Sequence, residues 1–262
     1  MPQLSGCIVV RNGKGSIQRC LDALLPLVNE YVIVDTGSSD GTVELVEEWK
    51  RRHSSTRLVF ERVGNKFHDS EGIFDFGAAK NYAVSLATCD YIIWCDVNDI
   101  CNNPSGVREA FEKITRKYPL ASITMNTKVT KTFAFPRIRI VPRAYAHFVG
   151  SIHEYLSNTA PDGDARKQLV TTKFYMENYK SHRDIARNVK ALEKEWAKCR
   201  TQRTAFYMGN SYKDIRDYHT AGIWYGITVD AFPTERTEER FKSLETLCDI
   251  AIHHVNWNEL AL

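Results

Sequence analysis

The chain has 262 residues, 43% of them hydrophobic, enough for a substantial core in one large domain or in a domain with a smaller appendage. With 35 basic against 32 acidic residues the net charge is +3, which excludes the strongly basic balance of a nucleic-acid-binding protein, so any basic site is local. Seven scattered cysteines without a CxxC pair fit neither a zinc site nor a disulfide framework and read as reduced core thiols.

The first residues lead straight into a strand-like run, with no charged leader or long apolar stretch, and no later run approaches the ~20 apolar residues of a membrane span. The expectation is a cytoplasmic protein. Residues 6–10 read as a strand, 16–25 as a helix, 31–35 as a strand, and 42–52 as a helix with Val43, Val46 and Trp49 on one face. Residues 58–61, 77–87, 91–95 and 107–118 repeat the scheme. This βαβα order predicts an α/β fold, a mostly parallel sheet flanked by helices. Between 121 and 179 the pattern turns to short strand-like runs, 122–126 and 138–141, punctuated by Pro136, Pro142 and Pro161.

Composition changes near Ser181, so the expected boundaries are 1–180 for the α/β domain and 181–262 for an α-helical segment. Val189, Leu192 and Trp196 recur at helical spacing, and 204–217, 218–230 and 241–253 read as further helices. Phe206-Tyr207-Met208-Gly209-Asn210-Ser211-Tyr212, then Ala221-Gly222-Ile223-Trp224-Tyr225 and Pro233, matches the pattern of a tetratricopeptide helix pair. Fewer than three such repeats rarely stand alone, so the tail is expected to pack on the preceding domain or to begin a longer array.

The chemistry gathers at strand ends. Tyr91-Ile92-Ile93-Trp94-Cys95 is apolar without alternation, as in a strand buried on both faces, and stops on Asp96-Val97-Asn98-Asp99. Ligands of open α/β sheets sit beyond such carboxyl ends. Asp96 and Asn98, two apart, put their oxygens on one side of an extended segment and suit a hard divalent cation. Asp35-Thr36-Gly37-Ser38-Ser39-Asp40-Gly41-Thr42 ends the second strand and opens a helix. Asp40 there reads as the helix cap, and Asp35 as an acceptor for a nucleobase or ribose. Neither GxGxxG nor GxxxxGK[ST] occurs, which argues against dinucleotide-binding oxidoreductases and P-loop enzymes.

Cys7-Ile8-Val9-Val10-Arg11-Asn12, the Tyr31-to-Thr42 run, Asp75-Phe76-Gly77-Ala78-Ala79-Lys80-Asn81 and Trp94-to-Asp99 together resemble the family 2 glycosyltransferases of GT-A fold, a Rossmann-like architecture. Phe148-Val149-Gly150-Ser151-Ile152-His153-Glu154-Tyr155-Leu156 and the helical tail resemble the subgroup that carries tetratricopeptide repeats. The resemblance implies that Val10, Asn12 and Asp35 lie against the base and ribose of a nucleotide-sugar donor, and that Lys80 and Asn81 face the nucleotide and diphosphate. It implies a Mn²⁺ or Mg²⁺ ion at Asp96 and Asn98, the DxD positions, with His153 near the metal. Glu154 is the expected general base, with Asp69, Glu71 and Asp99 as rivals, and Asp96 serves catalysis through the donor.

The implied activity is metal-dependent, inverting transfer of a sugar to a glycan, peptide or protein acceptor, with self-association through the tail as a further expectation. Two positions depart from the family. Asn98 replaces an acid, leaving Asp99 or His153 to compensate, and Gly13 stands where an acid follows the asparagine of the first motif. These departures suggest the alternative of a degenerate nucleotide-binding or protein-interaction module. Glu154 could instead pair with Arg137, Arg139 or Arg143, which read as a solvated strand face or a phosphate clamp.

Overall fold

The structure is a computed structural model that describes residues 1–128, 134–161, 168–178, 184–232 and 237–254, with main chain alone for 168–174 and 178. The chain divides into two compact units. One comprises Met1–Asp69, Asp75–Val149 and Glu154–His182; the other comprises Ser70–Phe74, Gly150–His153 and Arg183–Leu262.

The strands of the first unit are β1 (Leu4–Val10), β2 (Glu30–Asp35), β3 (Arg57–Arg62), β4 (Tyr91–Asp96), β5 (Asp99–Cys101), β6 (Ser122–Lys128), β7 (Ala134–Pro142), β8 (Ala146–Val149), β9 (Tyr155–Asn158) and β10 (Gln168–Asn178). Eight of them form one sheet in the order β3-β2-β1-β4-β7-β6-β10-β5, and β8 pairs with β9 separately. β3, β2, β1 and β4 are parallel, β7 runs antiparallel to both β4 and β6, and β10 is parallel to β6. The expected α/β architecture, a mostly parallel sheet flanked by helices, is therefore present, with the antiparallel pairings confined to β7 and β5. Helices α1 (Ile17–Leu24), α2 (Thr42–Arg52), α3 (Phe76–Leu86) and α4 (Pro104–Lys117) connect the strands.

Side-chain alternation sorts the core into two layers. Leu4 and Ile8, Tyr31 and Ile33, and Tyr91, Ile93 and Cys95 face α1, α2 and α4, where Leu21, Trp49 and Phe111 meet them. Cys7, Val32, Val34, Ile92 and Trp94 face the other way, onto Ala83 and Val84 of α3. Asp96 continues the Ile92–Trp94 face, so the end of β4 delivers its carboxylate to the α3 side.

Several boundaries differ from the sequence reading. β7 starts at Ala134 and contains Pro136, because this part of β7 pairs only with β6, while β4 meets it only from Ile140 to Pro142. A proline is tolerated on such a one-sided stretch. α4 begins at Pro104, capped by Asn103, whose side chain accepts from the Gly106 N–H at 3.0 Å. Asp40 is not the cap of α2. Gly41 takes that position at φ +95°, and Asp40 accepts instead from the Thr42 and Lys14 N–H groups, both at 3.0 Å.

The second unit holds α5 (Ile185–Lys198), α6 (Gln202–Asp214), α7 (Tyr218–Asp230) and α8 (Glu238–His253), each packed on the next. Asp184, Thr201, Asp217 and Thr237 cap them in turn. At the α6–α7 crossing a Cβ on Gly209 would lie 2.7 Å from the Tyr225 ring, so glycine sets how closely these helices approach. Among the described residues no helix is long and apolar enough to cross a membrane.

Candidate functional site

β1, β2 and β4 end level with one another: Val10 pairs with Asp35, and Val9 with Asp96. The loops that follow are joined side by side. The Asn12 N–H donates to Ser38 Oγ at 2.8 Å, Asn12 Oδ1 accepts from the Ser39 N–H at 2.9 Å, and the Gly13 N–H donates to Thr42 Oγ1 at 2.8 Å. Asn12, at φ +55°, thus works as a loop splice. The Val10 side chain is buried in the core, and its carbonyl accepts from the Thr36 N–H at 2.9 Å. Gly13 has a packing reason: a Cβ there would stand 2.7 Å from Val10 Cγ2 and 2.8 Å from Val97 Cγ2.

Asp35 Oδ1 accepts from the N–H groups of Gly37 and Ser38, each at 3.0 Å, in a turn that needs Gly37 at φ +99°. Its Oδ2 is buried with no hydrogen-bond partner among the described residues.

Lys80 lies on the buried stripe of α3 with Ala83 and Val84, and its ammonium is almost fully enclosed. It donates to Glu154 Oε1 at 2.6 Å and stands 3.4 Å from Asp96 Oδ1, above the Trp94 ring at 3.9 Å from its centroid. Burial alone would lower the lysine pKa, but Asp96 and Glu154 outweigh it and hold the ammonium above its ordinary range. Lys80 is therefore a protonated bridge between two carboxylates whose side chains are 23% and 13% exposed. Its neighbour Asn81 is taken up by β8: the carboxamide donates to the Phe148 carbonyl at 2.9 Å and accepts from the Phe148 N–H at 2.8 Å.

Asp99 proves structural. It is fully buried, and its Oδ2 accepts from Arg139 at 2.7 Å and from the Asp96 N–H at 2.8 Å. Arg139 also donates to Thr127 Oγ1 at 2.9 Å, and the register of β7 against β6 slips at this residue, turning the guanidinium inward. Burial would lower the Arg139 pKa, but Asp99 carries it above its usual value. Arg143 donates to the Cys89 carbonyl at 2.8 Å. Arg139 is buried and belongs to no solvated face, whereas Arg143 is exposed, and Glu154 pairs with Lys80 rather than with any of the three.

Asn98 is half-buried, and among the described residues its side chain makes no hydrogen bond. His153 belongs to the second unit, at φ +50°, with its ring stacked on Tyr207 at 4.1 Å and its carbonyl accepting from Arg203 at 3.1 Å. Glu71, a rival base, pairs with Lys194 at 2.9 Å in that same unit. Among the described residues no group of three or more His, Cys, Asp and Glu side chains is arranged to hold a metal ion. The sequence reading missed the Asp99–Arg139 pair and the Lys80–Glu154 contact. For the second a signal existed, since Lys80, Ala83, Val84 and Ala87 share one helical stripe.

The sequence model described as "Glycosyl transferase family 2" matches residues 5–150. A TPR repeat-containing protein of Synechococcus elongatus is 31% identical over 99 residues, 38% of this chain and 21% of that protein. The chain spans between 16% and 21% of the length of the curated relatives it matches. TarS 1–349 of S. aureus in complex with UDP superposes with a TM-score of 0.53 at 14% identity, over 90% of this chain and 73% of that one. The mannosyltransferase PcManGT from Pyrobaculum calidifontis, in complex with GDP-Man and Mn²⁺, gives a TM-score of 0.51 at 13% identity, over 97% and 81%. These two likenesses speak for the fold.

Proposed function

Because the chain belongs to glycosyl transferase family 2, we propose that it moves a sugar from a nucleotide-sugar donor to a hydroxyl of a glycan, peptide or protein acceptor, inverting the anomeric centre in one displacement. The observation that carries this reading is the Lys80 ammonium, 2.6 Å from Glu154 and 3.4 Å from Asp96. One cation there joins a carboxylate at the ligand-facing strand end to a second carboxylate suited to take a proton.

In this mechanism Glu154 accepts the hydroxyl proton as the acceptor oxygen bonds to the anomeric carbon. The bond from that carbon to the diphosphate oxygen breaks, and Lys80 meets the charge that develops on the leaving diphosphate. Asp35 holds the nucleoside, its unpartnered Oδ2 accepting an N–H or O–H. The donor set at β4 fits a divalent ion that arrives with the diphosphate, because Asp96 offers a carboxylate, Asn98 an uncommitted amide oxygen, and such ions take their remaining ligands from phosphates and water. Bound Mn²⁺ or Mg²⁺ would supply further neutralisation of the diphosphate; Mn²⁺ accompanies the donor in the mannosyltransferase structure.

Gly13 no longer favours a degenerate module, since packing against Val10 and Val97 requires the glycine. The helical second unit is assigned to acceptor recognition or self-association.

The test is a screen of UDP-, GDP- and dTDP-sugars with Mn²⁺ or Mg²⁺, reading released nucleoside diphosphate. Release from one donor is expected, slowed by EDTA and abolished in Asp96→Ala, while Glu154→Gln keeps nucleotide binding and loses turnover. Absence of both release and calorimetric nucleotide binding overturns the proposal.

A further inference from the structure

The three arginines 137, 139 and 143 have different fates. Arg139 is consumed by Asp99, Thr127 and the Trp94 carbonyl, and Arg143 is exposed at the start of β4, with its Nε on the Cys89 carbonyl. The Arg137 side chain makes no hydrogen bond or ion pair among the described residues. Its guanidinium is instead held by rings, 4.9 Å from the Phe135 centroid and 5.8 Å from that of Trp94. Trp94 is the same indole that carries the Lys80 ammonium at 3.9 Å. A half-buried guanidinium with its five N–H donors unused is costly to maintain without an anion.

The acids nearby are already spoken for. Arg137 lies within electrostatic reach of Asp96, Asp99 and Glu154, yet Asp99 belongs to Arg139, and Asp96 and Glu154 share Lys80. Position 98 is an amide and not an acid, so it adds no negative charge at the end of β4. The site keeps an unused positive fork and lacks an anion to fill it.

We propose that Arg137 is a binding residue for the donor's diphosphate, gripping two of its oxygens while Lys80 meets the third, so that nucleotide binding persists without a divalent ion. Planar guanidinium forks match phosphate oxygens in pairs, and the Trp94 and Phe135 rings hold this one in place beforehand. The inference rests on the donor reading above but can fail separately from it.

The experiment measures binding of UDP, GDP and their monophosphates by calorimetry in EDTA and again with Mn²⁺, at two salt concentrations. Wild type is expected to bind one diphosphate in EDTA, more tightly than its monophosphate and less tightly at high salt. Arg137→Met keeps the apolar stem on Trp94 and Phe135 and removes the charge. It should weaken diphosphate binding in EDTA at least tenfold, narrow the gap to the monophosphate and flatten the salt dependence, with an unchanged melting temperature. Arg137→Lys, a point charge without the fork, should fall between the two.

Binding by Arg137→Met equal to wild type overturns the inference and leaves the donor reading standing. So does wild-type binding that appears only with Mn²⁺, a result that decides the matter even if the variants fail to fold. No nucleotide binding under any condition overturns both.

Discussion

Asp99→Ala should be the most damaging single change to the first unit away from the apolar core. Its carboxylate is fully buried and accepts two hydrogen bonds, one from the fully buried Arg139 guanidinium at 2.7 Å and one from the Asp96 N–H at 2.8 Å. Truncation leaves Arg139 charged in the interior without its counter-ion, a loss of about 3–5 kcal/mol. An unpaired Asp96 N–H adds about 1 kcal/mol. Against a typical domain stability of about 5–15 kcal/mol this is a large fraction, and at about 2–4 °C per kcal/mol the melting temperature should fall by roughly 8–24 °C. Urea unfolding followed by tryptophan fluorescence reads it, Trp94 lying one residue from the pair's neighbour Cys95. Asp99→Asn keeps an acceptor for the Asp96 N–H and should lose about half as much. The double variant Asp99→Leu/Arg139→Met removes both charges and should return to within about 2 kcal/mol of wild type. A loss under about 1 kcal/mol for Asp99→Ala, or a double variant as unstable as the single, would refute the view that Asp99 is a structural counter-ion.

Glu30 supplies a pH dependence. Burial alone would raise its carboxyl, but bonds from Ser5 and Thr88 and the charge of Arg57 hold it below its ordinary value of 4.5. A carboxyl depressed by folding contributes stability that is present above that value and lost as pH falls through the folded one. The urea-midpoint gap between wild type and Glu30→Gln should therefore be wide at pH 7 and shrink at pH 3; a constant gap would contradict the assignment. Gly13→Ala should cost about 1–3 kcal/mol by overpacking against Val10 and Val97. Adding Val97→Ala should recover at least half of that loss in a double-mutant cycle, and strict additivity would show that the two positions do not touch.

The parallel half of the fold was legible because its strands are covered on both faces, so runs such as Tyr91 to Cys95 stay apolar without a break. The helices were legible by their stripes. β5 escaped detection because three residues give no period to read, and β10 because threonines and a lysine interrupt its apolar residues and its register against β6 shifts between Thr171 and Tyr175. Pro136 misled because a proline rule for central strands was applied to a stretch with one neighbour. Sequence pattern reports how a residue is covered, and coverage on one side only looks like an interruption.

Which charge meets which lies beyond pattern altogether. Three cations near the end of β4, Lys80, Arg137 and Arg139, and three acids, Asp96, Asp99 and Glu154, allow many pairings on paper. Strand alternation sends Asp96 to the α3 side, where the Lys80 stripe waits, while the slip of β7 at Arg139 turns that side chain inward to Asp99. Both outcomes depend on a one-residue register, and a shift by one reverses the face of every side chain on a strand. The site's acids could therefore be nominated from the motifs. Their division into Asp99, the counter-ion for Arg139, and Asp96 and Glu154, the two carboxylates on Lys80, required knowing which arginine the bulge had already committed.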